Sequence, residues 1–184
     1  KLKDLIMFYS AKREKLITLK EYVENMKEDQ DVIYYASGAS INKISSLPQV
    51  EQVRDKEFDI LYLTDYVDEF AITAIQKYEE KSFQNVESGD LDLDTEEERQ
   101  ETEKVNKDNE DLLKDMVSVL SEVEEVKFTN KLKSHPVCLT SKGDVSIEMQ
   151  KVFDAMPNDM GIKATLVLEV NEKHPISKKL KDLY

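Results

Sequence analysis

The chain has 184 residues, of which 35% are charged, and its formal net charge at pH 7 is −13. Such an acidic surface repels phosphate groups, which argues against nucleic acids and anionic membranes as partners. No apolar run approaches the roughly 18 residues that a membrane-spanning helix needs. The single cysteine, Cys138, rules out a disulfide within the chain. Together these features predict a protein of the reducing cytoplasm.

The beginning of the chain is predicted to be helical. Apolar residues recur at helical spacing over residues 1–12, at Leu2, Leu5, Ile6 and Tyr9. A second helix is expected to begin after Thr18, because Thr18 and Glu21 have the spacing of a capping box. In that motif each side chain accepts a hydrogen bond from the other residue's backbone.

An alternation of strands and helices follows. Residues 31–38 and 59–63 are short apolar runs typical of buried strands, and residues 81–87 are a third candidate. The segment between the first two strands has helical character that is broken near Pro48, and an amphipathic helix is predicted over residues 67–78. Strands that alternate with helices through short connections predict a parallel sheet.

The composition changes after this predicted sheet. Residues 87–111 contain twelve acidic and three basic residues, and apolar spacing returns at Leu112. Thr95 and Glu98 have capping-box spacing, so one helix is predicted over residues 95–122, about 42 Å long and solvated all round in its first half. A disordered acidic linker ahead of a shorter helix is the alternative, because like charges repel one another.

The last part of the chain shows the period of two that is typical of strands. Residues 125–132, 136–141 and 164–170 are predicted to form a sheet, most simply an antiparallel one, with a helix between its second and third strands. The predicted domains are residues 1–90 and 91–184. The fold class is α+β, in which a small three-layer α/β subdomain with a short parallel sheet is joined by the long acidic helix to a mixed α/β domain with an antiparallel sheet.

The helix between those strands carries an apolar stripe at i, i+3, i+4 and i+7, formed by Met149, Val152, Phe153 and Met156. An apolar helical face most often packs into a core. Methionine is also flexible and polarisable, however, and suits surfaces that bind many partners. Loop-like residues on both sides, around Gly143 and Pro157, indicate a helix that can sit away from the sheet.

Candidate catalytic residues are few. Asp65 and Asp68 follow a predicted strand, where α/β enzymes hold their carboxylates, and the loop that contains Ser37 and Ser40 could offer amides to a phosphate. The simpler interpretation is that Ser40 and Asp65 cap helices and that Asp68 faces a helix dipole.

The sequence does not indicate a metal site or a reactive cysteine. His135 and His174 are far apart, and each precedes a proline, which favours extended backbone at the entry to a strand or turn. With one cysteine and no histidine pair at ligand spacing, a zinc site is not expected. Cys138 has no evident activating base in the sequence, so a buried, unreactive thiol is predicted.

Three runs in the first ninety residues match the pattern of one known family. The run L-x-x-Y-V-x-x-M is formed by Leu19, Tyr22, Val23 and Met26. The following I-Y-Y run is formed by Ile33, Tyr34 and Tyr35, and the run L-x-D-x-x-D-E by Leu63, Asp65, Asp68 and Glu69. Together these runs closely resemble the heat-shock protein 90 chaperones, in particular their bacterial form. Weaker similarity continues to the end of the chain, where Asn171 and His174 match the family's N-P-x-H-P pattern without its first proline.

The resemblance implies a piece of a chaperone, with residues 1–90 in the middle domain and residues 91–184 in the carboxyl-terminal domain. The family's ATP-binding domain and its middle-domain arginine for ATP hydrolysis would lie outside these residues. The chain itself is therefore expected to bind no cofactor and to catalyse no reaction, whereas ATP and magnesium belong to the full-length parent. The final helices that form the family's homodimer would also lie outside, so weak or no dimerisation is expected here.

The resemblance also implies contact sites for unfolded or partly folded client proteins. In the family, clients contact an amphipathic helix of the carboxyl-terminal domain, which is matched here by Met149, Val152, Phe153 and Met156. They also contact a helix of the middle domain, where Phe70 stands in place of a tryptophan and Thr73 in place of an asparagine.

Three functions are therefore weighed. The resemblance favours client binding in the cytoplasm without chemistry. A small α/β enzyme that uses Asp65 and Asp68 with the Ser37 and Ser40 loop is the first alternative. A structural spacer between the ATPase and dimerisation modules of a chaperone is the second.

Overall fold

A computed structural model of the chain describes residues 2–88, 91, 93–157 and 161–184. The chain divides into two compact units, Lys1–Val86 and Glu87–Tyr184. Each has its own sheet, with six strands in the first and three in the second over the described residues. Helices and strands are mixed in both units, so the α+β class is confirmed. Their assignment to particular chaperone domains stays a prediction.

The first unit alternates between strands and helices. In chain order its elements are β1 (Met7–Ser10), β2 (Lys15–Thr18), α1 (Leu19–Val23), β3 (Val32–Ser37), α2 (Ile41–Ser45), α3 (Pro48–Asp55), β4 (Leu61–Leu63), α4 (Asp68–Ile75), β5 (Lys77–Tyr78) and β6 (Lys81–Asn85).

Three parallel strands form the centre of the first sheet, whose order is β2-β1-β4-β3-β6-β5. Strand β3 pairs in parallel with β4 on one side and with β6 on the other, so the predicted parallel sheet is confirmed at its centre. Antiparallel hairpins form both sides of the sheet. The β1–β2 hairpin joins β4 through β1, and the β5–β6 hairpin joins β3 through β6. The sheet is therefore mixed.

The helix predicted over residues 1–12 is wrong, because part of that segment is strand β1. Burial along β1 has the period of a strand, with Phe8 and Ser10 buried and Met7 exposed. The strand pairs with both β2 and β4, so neighbouring strands satisfy its backbone hydrogen bonds. These tertiary pairings outweigh a helical spacing that only four apolar side chains defined.

The helices of the first unit follow the sequence signals more closely. The capping box at Thr18 is confirmed, since its hydroxyl accepts from the Glu21 N–H at 3.2 Å and the Glu21 carboxylate accepts from the Thr18 N–H at 2.8 Å. Pro48 occupies the first turn of α3, after the predicted break. Helix α4 is shorter than the helix predicted over residues 67–78, because Gln76 has a φ of 60° and turns the chain into β5.

One apolar cluster packs α1 and α4 against the sheet. Its buried members are Phe8, Ile17, Leu19, Tyr22, Ile33, Tyr35, Leu61, Leu63, Ile72 and Tyr78. Several of them belong to the sequence runs that resemble the chaperone family. Those runs therefore contain residues that form the core of this unit.

The hydroxyl of Tyr22 makes three hydrogen bonds within this core. It donates to the carbonyl oxygen of Asp59 at 2.6 Å and accepts from the side-chain amide of Gln30 at 2.9 Å and the backbone N–H of Tyr34 at 3.1 Å. Burial raises the pKa of this hydroxyl well above its usual value of 10.0. A single side chain of α1 therefore satisfies backbone groups in β3 and just before β4.

Replacing Tyr22 by phenylalanine is expected to lower the free energy of unfolding by about 1–3 kcal/mol, because three buried polar groups lose their common partner. The matched control is Tyr78→Phe, whose hydroxyl donates to the single carboxylate of Asp4 at 3.0 Å. It should cost less than Tyr22→Phe, because the exposed Asp4 carboxylate can be hydrated when the bond is lost. Urea denaturation measures both values, and equal losses would contradict the role given to Tyr22.

The raised pKa of Tyr22 also predicts a pH dependence. Above about pH 10 the unfolded chain releases the hydroxyl proton while the folded chain keeps it, so this residue's contribution to stability is complete below pH 10 and declines above it. In urea titrations between pH 10 and pH 11, the wild type should therefore lose stability more steeply than Tyr22→Phe. Parallel losses would show that the Tyr22 hydroxyl is not shielded from water.

The second unit begins with two helices and continues with a smaller sheet. In chain order its elements are α5 (Glu96–Asp108), α6 (Glu110–Val119), β7 (Glu125–Thr129), β8 (Val137–Lys142), α7 (Ile147–Asp154), β9 (Thr165–Asn171) and α8 (Pro175–Leu183).

The second sheet has the order β7-β9-β8 and is mixed. Strand β9 pairs antiparallel with β8, as predicted, but parallel with β7, so the prediction of an antiparallel sheet is wrong on that side. The last strand of the chain lies between the two earlier ones and is buried at Val167, Glu169 and Val170. A nearly continuous apolar run is typical of such a central strand.

The single acidic helix predicted over residues 95–122 is also wrong. The capping box of Thr95 and Glu98 is confirmed, but the helix is interrupted at Asn109, whose φ of −118° and ψ of 24° separate α5 from α6. Helix α6 buries Leu112 and Leu113 in the apolar core of this unit. Helix α5 is not solvated all round, because side chains on one face make hydrogen bonds to β7 and the residues after it.

Helix α8 was not anticipated from the sequence. His174 has the extended backbone expected before a proline, yet it is also the N-cap, since its Nδ1 accepts from the N–H of Ile176 at 3.2 Å. Pro175 lies in the first turn, where it needs no hydrogen-bond acceptor. The Lys181 ammonium lies 4.6 Å from the centre of the Phe128 ring and anchors the helix over the core.

Candidate functional site

The predicted methionine-bearing helix is confirmed as α7. Ser146 is its N-cap, with a hydroxyl that accepts from the N–H of Met149 at 3.0 Å. The side-chain carbonyl of Gln150 accepts from the N–H of Ala164 at 2.8 Å, just before β9. This bond fastens the middle of α7 to the sheet, so the helix is held more closely than its loop-like flanks predicted.

The apolar stripe of α7 is buried at one end and exposed at the other. Met149 is 8% exposed, whereas Met156, just beyond the last helical residue, is 42% exposed. Val152 and Phe153 are half-buried between them. The client contact implied for Met149 needs an exposed side chain, but Met149 is buried in the first helical turn, beside the buried cap Ser146. Exposure is confirmed for Met156, and client binding along the stripe stays a prediction.

A second exposed apolar patch surrounds the start of α4. Phe70 is half-buried and Thr73 is exposed, with the Thr73 hydroxyl donating to the carbonyl oxygen of Glu69 at 2.9 Å. Tyr66 and Val67, the two residues before this helix, are 75% and 69% exposed, although Val67 was predicted to be the first residue of the helix itself. Two adjacent large apolar residues directly before a helix were the available signal. A role of Phe70 and Thr73 in client binding stays a prediction.

The candidate catalytic residues stabilise local structure. Ser40 caps α2, as predicted, by accepting from the N–H of Lys43 at 3.3 Å. Asp65 is not the cap of α4, whose N-cap is Val67. Instead the Asp68 carboxylate accepts from the N–H of Asp65 at 3.2 Å, and burial raises the pKa of that carboxyl. These contacts fit turns and helix ends and supply no activated nucleophile.

Cys138 is buried in β8, opposite Glu169 of β9. Burial raises the pKa of the Cys138 thiol to about 12, and the negative charge of Glu169 acts in the same direction. The Glu169 carboxylate accepts from the hydroxyl of Thr140 at 3.2 Å and lies 3.4 Å from the ammonium of Lys127. A thiol with this pKa carries almost no thiolate at neutral pH, which supports the prediction of an unreactive cysteine.

We expect Cys138 to react with iodoacetamide at pH 8 at least about a hundredfold more slowly in the folded protein than in urea, because both exposure and the thiolate fraction fall on folding. The matched control combines Cys138→Ala with Leu139→Cys, which places a lone thiol at the exposed neighbouring position. This control should react at similar rates in both states. A folded Cys138 that reacts as fast as the control would contradict the assignment.

The described ranges contain neither a cluster of metal-ligand side chains nor a membrane-spanning helix. No group of three or more histidine, cysteine, aspartate or glutamate side chains within them could hold a metal ion. No helix within them is both long enough and apolar enough to cross a membrane.

Comparison with known families identifies the class of protein. The family model described as "Hsp90 protein" matches residues 1–184. The chain therefore belongs to the Hsp90 family, and the resemblance found in its sequence is confirmed. Its relatives are chaperones of the heat-shock and stress response.

Three relatives are each named Chaperone protein HtpG. The one from Clostridium botulinum (strain Langeland) is 49% identical over 184 residues and the one from Bacillus subtilis (strain 168) is 47% identical over 184 residues, each match covering 100% of the chain. The one from Oceanobacillus iheyensis is 51% identical over 181 residues, or 98% of the chain. In all three, the matched region is 29% of the relative's length, so the chain spans less than a third of these proteins.

Proposed function

We propose that this chain is part of an ATP-dependent molecular chaperone of the cytoplasm and that it binds non-native client polypeptides without chemistry of its own. The observation that carries the proposal is the match of the whole chain to a chaperone family. Exposed apolar side chains at two helix ends support it. ATP, magnesium and the homodimer belong in this proposal to the full-length protein, and weak or no self-association is proposed for residues 1–184.

The end of α7 suits a client because its apolar side chains remain accessible while the start of the helix is anchored. Met156 is exposed, and Val152 and Phe153 are half-buried beside it. Methionine adapts its shape to different partners. In this proposal Met149 packs beneath α7 and stabilises it, whereas Val152, Phe153 and Met156 contact the client.

The patch before α4 offers a similar surface. Tyr66 combines a large apolar ring with a polar end, and Val67 lies next to it. Phe70 follows in the first turn of the helix and is half-buried. We place the second client contact on these residues together with Thr73, because they expose apolar surface on a segment that begins a helix.

The two alternative functions, a small α/β enzyme and a structural spacer, require different structural features. An enzyme that uses Asp65 and Asp68 needs these carboxylates to activate a nucleophile, whereas Asp68 is engaged by the backbone of Asp65 and Ser40 by the backbone of α2. A structural spacer needs no exposed apolar patch at either helix end. Client binding by the isolated chain distinguishes the proposed function from both.

Replacing Met156 by serine should weaken binding of a reduced, carboxymethylated and fluorescently labelled unfolded protein by about threefold or more, since exposed apolar contact area is lost. The free energy of unfolding of the Met156→Ser variant should change by less than about 1 kcal/mol, because Met156 is exposed. Met149→Ser should instead lower the free energy of unfolding by about 2–5 kcal/mol. Fluorescence anisotropy and urea denaturation measure these effects. Unchanged client affinity of Met156→Ser would remove α7 from the proposal.

The patch before α4 is tested with Val67→Ser. The matched control is Val119→Ser, because Val119 is an exposed valine at the end of α6, outside either proposed contact. Only the first change should weaken binding of the same unfolded protein. If wild-type chain shows no binding at all, the spacer interpretation replaces client binding.

The chain alone is expected not to bind ATP with magnesium. Its turn after β3 contains one glycine, Gly38, where phosphate-binding loops use several to bring backbone amides close to the ligand. Isothermal titration calorimetry of the wild-type chain with Mg-ATP should show no saturable heat. Saturation at micromolar ATP would reopen the possibility of an enzyme.

A further inference from the structure

Two carboxylates lie on either side of the exposed residues in the patch before α4. Tyr66 and Val67 follow Asp65 and precede Asp68 in the chain. The Asp68 carboxylate accepts from the backbone N–H of Asp65 at 3.2 Å, so the turn folds the two acidic residues towards each other. Burial raises the pKa of Asp68, and the negative charge of Asp65 acts in the same direction. The two carboxylates are therefore close enough to repel each other.

This repulsion is not relieved by a positive side chain of the described residues. Neither Asp65 nor Asp68 takes part in an ion pair within the described ranges, and residues 57–76 contain no lysine or arginine. The amino end of a helix such as α4 supplies only about half a positive charge. The next acid, Glu69, is buried and accepts from the side-chain amide of Asn85 at 3.2 Å, so it belongs to the interior. The exposed surface before α4 therefore stays negative.

The side chain of arginine matches these exposed groups in three ways. Its planar guanidinium stacks on aromatic rings, and the ring of Tyr66 is 75% exposed. Its N–H donors form charge-assisted hydrogen bonds with carboxylates. Its apolar stem packs along apolar surface such as that of Val67. Lysine carries the same charge but lacks the planar fork of donors, so arginine is the better match.

We propose that the patch before α4 binds client segments in which an arginine lies next to a large apolar residue. The guanidinium stacks on the ring of Tyr66 and donates to Asp65 and Asp68, while the apolar neighbour packs against Val67. Complementary charge selects this segment over an uncharged apolar one, and a segment with an acidic residue in place of the arginine is repelled. This inference rests on the proposed function and names the kind of client sequence that the patch selects.

The first experiment compares four fluorescently labelled peptides of the form Gly-Ser-Gly-Leu-X-Phe-Gly-Ser-Gly, in which X is arginine, lysine, glutamine or glutamate. Fluorescence anisotropy with the wild-type chain is measured at low ionic strength, where exposed charges are least screened. The arginine peptide should bind at least about threefold more tightly than the glutamine peptide, as expected for exposed ion pairs. The lysine peptide should lie between them, and the glutamate peptide should bind most weakly. Equal affinities would overturn the inference, and so would a chain that binds the unfolded protein but none of the peptides.

The second experiment separates the patch from the overall negative charge of the chain. Asp65→Asn combined with Asp68→Asn removes both carboxylates, and the new side chain at position 68 keeps an oxygen that can accept the same backbone hydrogen bond. The matched control is Glu97→Gln combined with Glu101→Gln, which removes two exposed acids of α5 and changes the net charge equally. Circular dichroism establishes that both variants are folded.

The preference for the arginine peptide over the glutamine peptide should disappear in the variant of Asp65 and Asp68 and persist in the control. If both variants lose the preference equally, it comes from the net charge of the chain and the inference is overturned. A preference that survives the loss of both carboxylates would overturn it as well.

The third experiment removes the aromatic ring. Tyr66→Leu keeps an apolar side chain at this position, so the arginine peptide should lose about twofold or more in affinity relative to the glutamine peptide. Equal losses would contradict the contact between the guanidinium and the ring.

The inference and the proposed function fail in different ways. If Val67→Ser weakens binding of the unfolded protein while the four peptides bind alike, the client contact stands and the preference for arginine is removed. If the wild-type chain binds neither the peptides nor the unfolded protein, the proposed function itself fails.

Discussion

The backbone hydrogen bonds of the outer strands constrain both sheets. The three parallel strands at the centre of the first sheet need partners on each side, and the hairpins β1–β2 and β5–β6 supply them. In the second sheet, the side-chain amide of Asn106 takes the place of a missing strand beside β7. An unsatisfied backbone group costs free energy when it is buried, so these edge contacts determine which segments lie beside each core.

The parts of the fold that depend on local signals could be predicted from the sequence. The capping boxes at Thr18 and Thr95, the break before Pro48 and the buried strand β3 all follow from side chains close together in the chain. Pairing between distant segments could not be predicted in this way. Strand β1 shows this limit, because its helical apolar spacing was overruled by hydrogen bonds to β2 and to β4, about fifty residues away.

The candidate site was predictable to a similar extent. The sequence located helix α7 and its stripe, but a helical period cannot distinguish a face that packs from a face that is exposed. The distinction depends on the bond between Gln150 and Ala164 and on the burial of Met149, both of which are tertiary properties. Tyr66 was missed and Val67 was assigned to the helix, because periodicity does not report which side chains are exposed.

The interruption at Asn109 gives the two halves of the acidic helix different attachments. Helix α6 is held by the burial of Leu112 and Leu113, whereas α5 buries no residue fully and is fastened largely by polar contacts from Thr102 and Asn106. Lifting α5 away exposes little apolar surface, and water can replace the hydrogen bonds that are lost. Such an opening has almost no dependence on urea concentration, because that dependence scales with the surface exposed. We therefore expect the amide hydrogens of α5 to exchange with solvent through a local opening, and those of α6 only when the core itself unfolds.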